Sequence, residues 1–235
     1  MAGRKRVQRV LGIFAKAPEP GRVKTRLCPP LTAEGAAALY AAFVEDTVER
    51  LGAFAPARGI HIEVVLAPEG RAGVGWPSPE IPTRLQRGEG LMRRLSSYFE
   101  EAFRDGATAA AVVGSDSPTL PLDRIERAFE AIDRGADGAI VPDDGGGYCA
   151  LGLARPVPAL FEGIEAGTDR VLAATLARAA AAGLRLETLE GWYDVDRIGD
   201  LSRLRRELAM APCSLAPRTR EALSTLSFPE EEPSP

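Results

Sequence analysis

Hydrophobic positions along this chain come in two alternating kinds of block. The short kind is nearly continuous. Residues 7–15 carry Val10, Leu11, Ile13 and Phe14, the run expected of a strand buried on both faces. Ile60–Leu66, 109–113, 137–141, Tyr148–Leu153 and 184–188 read the same way, and 83–86 predicts a shorter strand. The longer kind repeats every three to four residues. Thr32 is placed to cap a helix in which Leu39, Phe43, Val44, Val48 and Leu51 form one stripe. Further helices are predicted over 89–104, from Pro121 to about 134, from a Thr168 cap to Ala182 with Gly183 as its stop, and over 198–208.

Strand and helix alternate through about 210 residues, and no fixed-period repeat interrupts them. That order predicts a single α/β domain: a mostly parallel sheet, with Tyr148–Leu153 pairing back on 137–141 across a glycine-rich turn, and helices on both faces. Ligands of such sheets sit at the carboxyl ends of the strands, so the loops after the first, fourth and fifth strands are the ones to inspect. Residues 211–235 are rich in Pro, Ser and Glu and read as a disordered tail.

Composition narrows the chemistry. One histidine, His61, lies in an alternating strand, so a histidine zinc site, a Ser-His-Asp triad or a Cys-His pair is not expected. Cys28, Cys149 and Cys213 are odd in number and widely spaced, which fits a reducing, cytoplasmic setting. With 235 residues, the chain can bury roughly 70% of its unfolded surface without staples. Net charge is −4, which disfavours nucleic acid as a partner. The basic residues Arg4, Lys5, Arg6 and Arg9 precede an apolar run that Lys16 cuts short, too short for a signal peptide or a membrane span.

Four loops remain as candidates. In 15–30, Lys16, Arg22, Lys24 and Arg26 surround Gly21 and four prolines, a cationic loop at a strand end suited to a polyphosphate. It lacks the spacing of a Walker A loop and of GxGxxG. In 112–121, the strand delivers Asp116 among small residues, where one carboxylate with substrate phosphates is enough for Mg²⁺ or Mn²⁺. In 141–153, Gly145, Gly146 and Gly147 allow close backbone approach and leave Tyr148 free to lie against a ring. In 191–201, Asp196 either caps the last helix or, like Asp194, adds a second metal ligand. Each loop also has a plain structural reading: a solvated basic loop, a turn before a helix, a hairpin turn, a cap. Arg94, at the start of a helix, either extends the phosphate pocket or faces solvent, and Trp76 and Trp192 are expected to pack.

The segments IFAKAPEPGRVKTRL, GSDSPTLP, GGGYCALGL, GTDRVLAATLA and DVDRIGDL, in this order, resemble the DUF2064 family over about residues 9–205. The resemblance implies a GT-A fold of the nucleotide-diphospho-sugar transferases, related to molybdenum-cofactor and 2-phospholactate guanylyltransferases. It implies Mg²⁺ or Mn²⁺ on Asp116, to which the loop reading adds Asp196 as a candidate second ligand. It implies donor phosphates held by Lys16, Lys24, Thr25 and Arg26; Ala15, Gly21, Gln86 and Arg94 are further phosphate-binding candidates from the reading of the chain. Asp116, Lys24 and Arg26 are then catalytic, and Asp144, Gly146, Gly147 and Tyr148 face the sugar or acceptor. Departures from the family pattern fall on the acceptor side: Gly145 for an Asp, Gly90 and Met92 in the 86–94 segment, and EAGTDRV where a Trp is usual. The implied activity is glycosyl transfer from a nucleotide-sugar to a small acceptor. Nucleotidyl transfer from a nucleoside triphosphate is the alternative, and a non-catalytic nucleotide-binding module the third.

Overall fold

The computed structural model describes residues 9–70, 73 and 75–229. In chain order its elements are β1 (Arg9–Ala15), α1 (Ala33–Phe54), β2 (Ile60–Leu66), β3 (Thr83–Leu85), α2 (Gly90–Arg104), β4 (Ala109–Gly114), α3 (Leu122–Asp133), β5 (Gly138–Pro142), β6 (Tyr148–Leu153), α4 (Val171–Ala181), β7 (Leu186–Thr188), α5 (Ile198–Met210) and α6 (Pro217–Ser224). The seven strands form one sheet in the order β3-β2-β1-β4-β6-β5-β7. Only β6 runs against its neighbours: it is antiparallel to β4 and β5, whereas the other pairings are parallel. The predicted mixed α/β sheet and the return of β6 on β5 are both present.

The strand pattern is read out face by face. Leu11, Ile13, Val64, Ala111 and Val113 point to one side, under α1 and α3. Phe14, Val65, Ala110, Val112 and Leu151 point to the other, under α2 and α4. Alternation with period two is what makes a strand apolar on both faces. At Gly12 a Cβ would come 2.5 Å from the Tyr98 ring, so this glycine lets α2 lie close on β1. The outer side of α1, through Leu39 and Phe43, packs on α5 and α6 in a third cluster.

Two sequence expectations fail here. The tail read as disordered from residue 211 contains α6. Leu223 and the preceding Ala216 are buried, and the buried Asp46 carboxylate of α1 accepts the amides of Arg218 and Thr219 at 3.2 and 2.7 Å. A capping partner some 170 residues away holds this short polar helix. Residues 230–235 lie outside the described residues, as do Arg4, Lys5 and Arg6. Thr168 does not cap α4: its hydroxyl donates to Glu165 O at 3.1 Å, and the helix starts after Arg170. By contrast Thr32 caps α1, accepting from the Gly35 amide at 3.0 Å. No helix among the described residues is long and apolar enough to cross a membrane.

Candidate active site

From β1 the strand order proceeds through β2 to β3, and from β4 the other way, so the topology switches direction between β1 and β4. In open α/β sheets such a switch point is where the ligand crevice lies, beyond the carboxyl ends of the strands, and here the loops leaving β1 and β4 face each other across it. The loop after β1 carries residues 16–30, the loop after β4 carries Asp116, and the segment before α5 closes the site from the side. Five hydrogen bonds hold the frame. The Lys16 amide donates to the Tyr40 hydroxyl at 2.9 Å, and that hydroxyl lies 2.9 Å from Ser115 Oγ. The Val195 amide donates to the Asp116 carbonyl at 3.0 Å. Arg50 of α1 donates to the carbonyls of Pro118 and Leu120.

At the centre, the Lys24 ammonium pairs with Asp116 and donates to Asp196 Oδ1 at 3.0 Å. Its side chain is 3% exposed, while the two carboxylates are 41% and 47% exposed. Burial alone would lower the Lys24 pKa, but the facing carboxylates of Asp116 and Asp196 outweigh it and hold the ammonium above its ordinary value. Asp196 is burdened by burial too, yet Lys24 and Arg26 depress its pKa. Behind this pair sits Asp194. It accepts from Ser117 Oγ and, at 3.4 Å, from Cys149 Sγ. Burial first, then the charge of Asp116, pushes its pKa up to about 7.

The site residues read from sequence divide into three groups. Lys24, Arg26, Asp116 and Asp196 are brought together, with Arg26 3.7 Å from Asp196 and 60% exposed. Lys16 is exposed at the rim, and Thr25 opens a single helical turn through Leu27. Gly21, at φ 75°, has open space around it. Asp196 is not the helix cap: Arg197 occupies that position, and Asp200 Oδ2 accepts from the amides of Asp196 and Arg197.

A second group is committed elsewhere. Buried Gln86 spends its amide on the carbonyls of Val65 and Ala15, so both residues hold β2 and β1 together. Arg94 pairs with Glu69 and donates to Gly88 O. Asp144 pairs with Arg203 at 2.6 Å.

The third group is the glycine turn. The closeness these glycines permit is to the chain itself. A Cβ on Gly146 would fall within 3.0 Å of the Asp169 backbone, and one on Gly147 within 3.0 Å of the Asp143 carboxylate. Asp143 Oδ1 accepts from the Gly145 and Gly147 amides at 2.6 and 2.8 Å. Tyr148 packs into the core on the α4 side and its hydroxyl is buried, not presented to a ligand ring. Trp76 and Trp192 pack as expected, and His61 is exposed on β2.

Tyr40, Ser115, Ser117 and Arg50 were not legible as site residues. Tyr40 lies on the apolar face of α1, and nothing local marks its hydroxyl as a bridge between two distant loops.

The match to the DUF2064 family, described as an uncharacterised protein conserved in bacteria, covers residues 50–168. A crystal structure from Desulfovibrio desulfuricans G20, described as a "putative nucleotide-diphospho-sugar transferase", is 30% identical, with 92% of this chain and 94% of that one superposed at a TM-score of 0.82. The chain belongs to the DUF2064 family. More distant solved structures share the DUF2064 chain's fold. A 4-diphosphocytidyl-2C-methyl-D-erythritol synthase is 14% identical, covering 88% of this chain and 100% of that one at a TM-score of 0.54. A CMP:2-keto-3-deoxy-manno-octonic acid synthetase complexed with CTP is also 14% identical, covering 86% and 98% at 0.54. A comparison with the curated proteins finds no match.

A divalent metal is compatible with the donor set of this DUF2064 site. Asp116 and Asp196 converge on one cation, and both side chains stay nearly half exposed. Among the described residues no group of three or more His, Cys, Asp or Glu side chains forms an all-protein metal cage. Two carboxylates completed by water and substrate oxygens is the arrangement Mg²⁺ favours.

Proposed function

We propose that the protein is a metal-dependent transferase acting on a nucleotide-activated donor, with glycosyl transfer from a nucleotide-diphospho-sugar to a small acceptor as the principal reading. The observation that carries it is the convergence of Asp116, Asp196 and the cationic loop 16–26 at the switch point between β1 and β4. The 30% identical neighbour described as a "putative nucleotide-diphospho-sugar transferase" supports the donor class.

Asp116 and Asp196 would hold Mg²⁺ or Mn²⁺, which when bound supplies Lewis-acid neutralisation of a departing diphosphate. Cations of the loop 16–26 bind and screen the donor's phosphate oxygens. The Tyr40–Ser115 bridge and the Arg50 contacts keep those cations and the carboxylates in fixed register, so the charge is in place before the leaving group develops. Chemistry of this kind needs no histidine, and the sole histidine, His61, pairs with Val10 at the amino-terminal end of β2, away from the carboxyl-end loops.

Nucleotidyl transfer from a nucleoside triphosphate is the second reading. It is favoured by the fold shared with the synthase and the CTP-bound synthetase. One assay separates the two: incubation with panels of sugar nucleotides and nucleoside triphosphates, each with Mn²⁺. Nucleoside diphosphate release from a sugar nucleotide supports the first reading, and pyrophosphate release from a triphosphate the second. Nucleotide binding with neither product, across acceptors, would mark a binding module.

A further inference from the structure

Lys24 differs from every other cation of its loop. Lys16 is exposed and Arg26 is 60% exposed, whereas Lys24 is 3% exposed, with its ammonium 5.9 Å from the centre of the Phe43 ring. The inward turn has a local cause. Lys24 has φ 48° and ψ 36°, a left-handed conformation uncommon for a residue with a Cβ. That backbone sends residue 24 into the protein while residue 26 stays outside. The choice of lysine is also informative. The chain has three lysines, Lys5, Lys16 and Lys24, within a total of 29 Lys and Arg. A compact ammonium can sit beneath two carboxylates at once, where a planar guanidinium fork demands more room.

We propose that Lys24 is a positioning residue, the resident counter-cation of the Asp116–Asp196 pair, and not a hand for the donor's phosphates. It balances the pair from the protein side and leaves the outer carboxylate oxygens for a divalent metal, while Lys16 and Arg26 meet the phosphates. Reaching a phosphate would require Lys24 to leave both carboxylates unbalanced beside the half-buried Asp194. The inference rests on the nucleotide-transferase reading and assigns different tasks to cations which that reading groups together.

The test compares Lys16→Met, Arg26→Met and Lys24→Met in two titrations. In EDTA, nucleoside diphosphate binding should weaken about 5- to 10-fold for Lys16→Met and for Arg26→Met, each losing a charge-assisted contact, and less than about twofold for Lys24→Met. Without nucleotide, Mn²⁺ affinity followed by EPR should rise about fivefold in Lys24→Met, because the dication replaces the lost positive charge. A Lys24→Met loss in EDTA equal to that of Lys16→Met overturns the proposal, as does unchanged Mn²⁺ affinity. So does wild-type nucleotide binding that appears only with Mn²⁺, since exposed cations need no metal to hold phosphate. If Lys24→Met does not fold, Lys24→Met/Asp196→Asn, which removes one charge of each sign, carries the EDTA comparison. Wild-type failure to bind any nucleotide, with or without Mn²⁺, overturns the transferase reading instead, and the Mn²⁺ titration still decides the role of Lys24.

Discussion

The Tyr40 and Ser115 hydroxyls meet at 2.9 Å beneath the switch point, and the Lys16 amide donates to the same phenol. One buried side chain of α1 therefore ties the loop after β1 to the loop after β4. Burial and the nearby Asp116 push the Tyr40 pKa up to about 12, so the bridge is a neutral phenol throughout the working range. Tyr40→Phe keeps the ring and strands the buried Ser115 hydroxyl and the part-buried Lys16 amide. We expect a stability loss of about 1–3 kcal/mol in urea unfolding, the cost of leaving such groups unpaired. Donor affinity should fall while the helix content by circular dichroism is unchanged.

The Asp116 backbone is fixed through Val195 N–H, and the Lys24 ammonium that its carboxylate meets is also held by Asp196. Asp116→Asn should therefore fold normally and lose turnover by about 10²- to 10³-fold, the scale of removing one preorganised electrostatic group. Treating the wild type with EDTA should reproduce most of that loss, whereas EDTA should do little further to the variant. Steady-state rates with and without added Mn²⁺ measure both.

Asp194 makes stability depend on pH. Its folded pKa is raised to about 7 from an ordinary 3.8, so between those values the folded state holds a proton that the unfolded state has released. Stability from this group is complete below about pH 4 and declines as pH rises toward 7, by at most about 1.4 kcal/mol per pH unit. Asp194→Asn removes the titration, so the difference in unfolding free energy should shift in the variant's favour as pH rises from 4 to 8. Urea melts at each pH check the sign; a shift the other way would contradict it.

Much of the scaffold was legible because its signals are local. Ile60–Leu66 and α1 could be read from the chain: one is a short apolar run, and the other an apolar stripe behind Thr32. The end of β4 likewise announced Asp116. What could not be read depends on distant pairings. Asp196 looks like a cap until Lys24, 172 residues away, is seen to take its carboxylate and Asp200 its amide. Residues 211–229 look like a tail until Asp46 is placed beneath Arg218 and Thr219. Lys24 looked equivalent to Lys16 and Arg26 because composition reports charge and not burial.

The glycine turn shows how a motif with two readings is decided. Gly21 and Gly146 both have positive φ, 75° and 84°. A Cβ on Gly21 meets nothing within 4 Å, so Gly21→Ala costs only the backbone preference, about 1 kcal/mol. A Cβ on Gly146 would overlap the Asp169 carbonyl, and Gly146 O also accepts the Leu172 amide at 2.8 Å, fastening the start of α4 to the β5–β6 turn. Gly146→Ala must displace that backbone, and we expect it to cost about 2–4 kcal/mol, in the range of strain and overpacking combined. Hydrogen exchange should rise at the α4 amides before it rises at β1 or β4, because the core clusters of those strands do not rest on the turn. Equal stability losses in the two alanine variants would mean that the turn is open to a ligand after all.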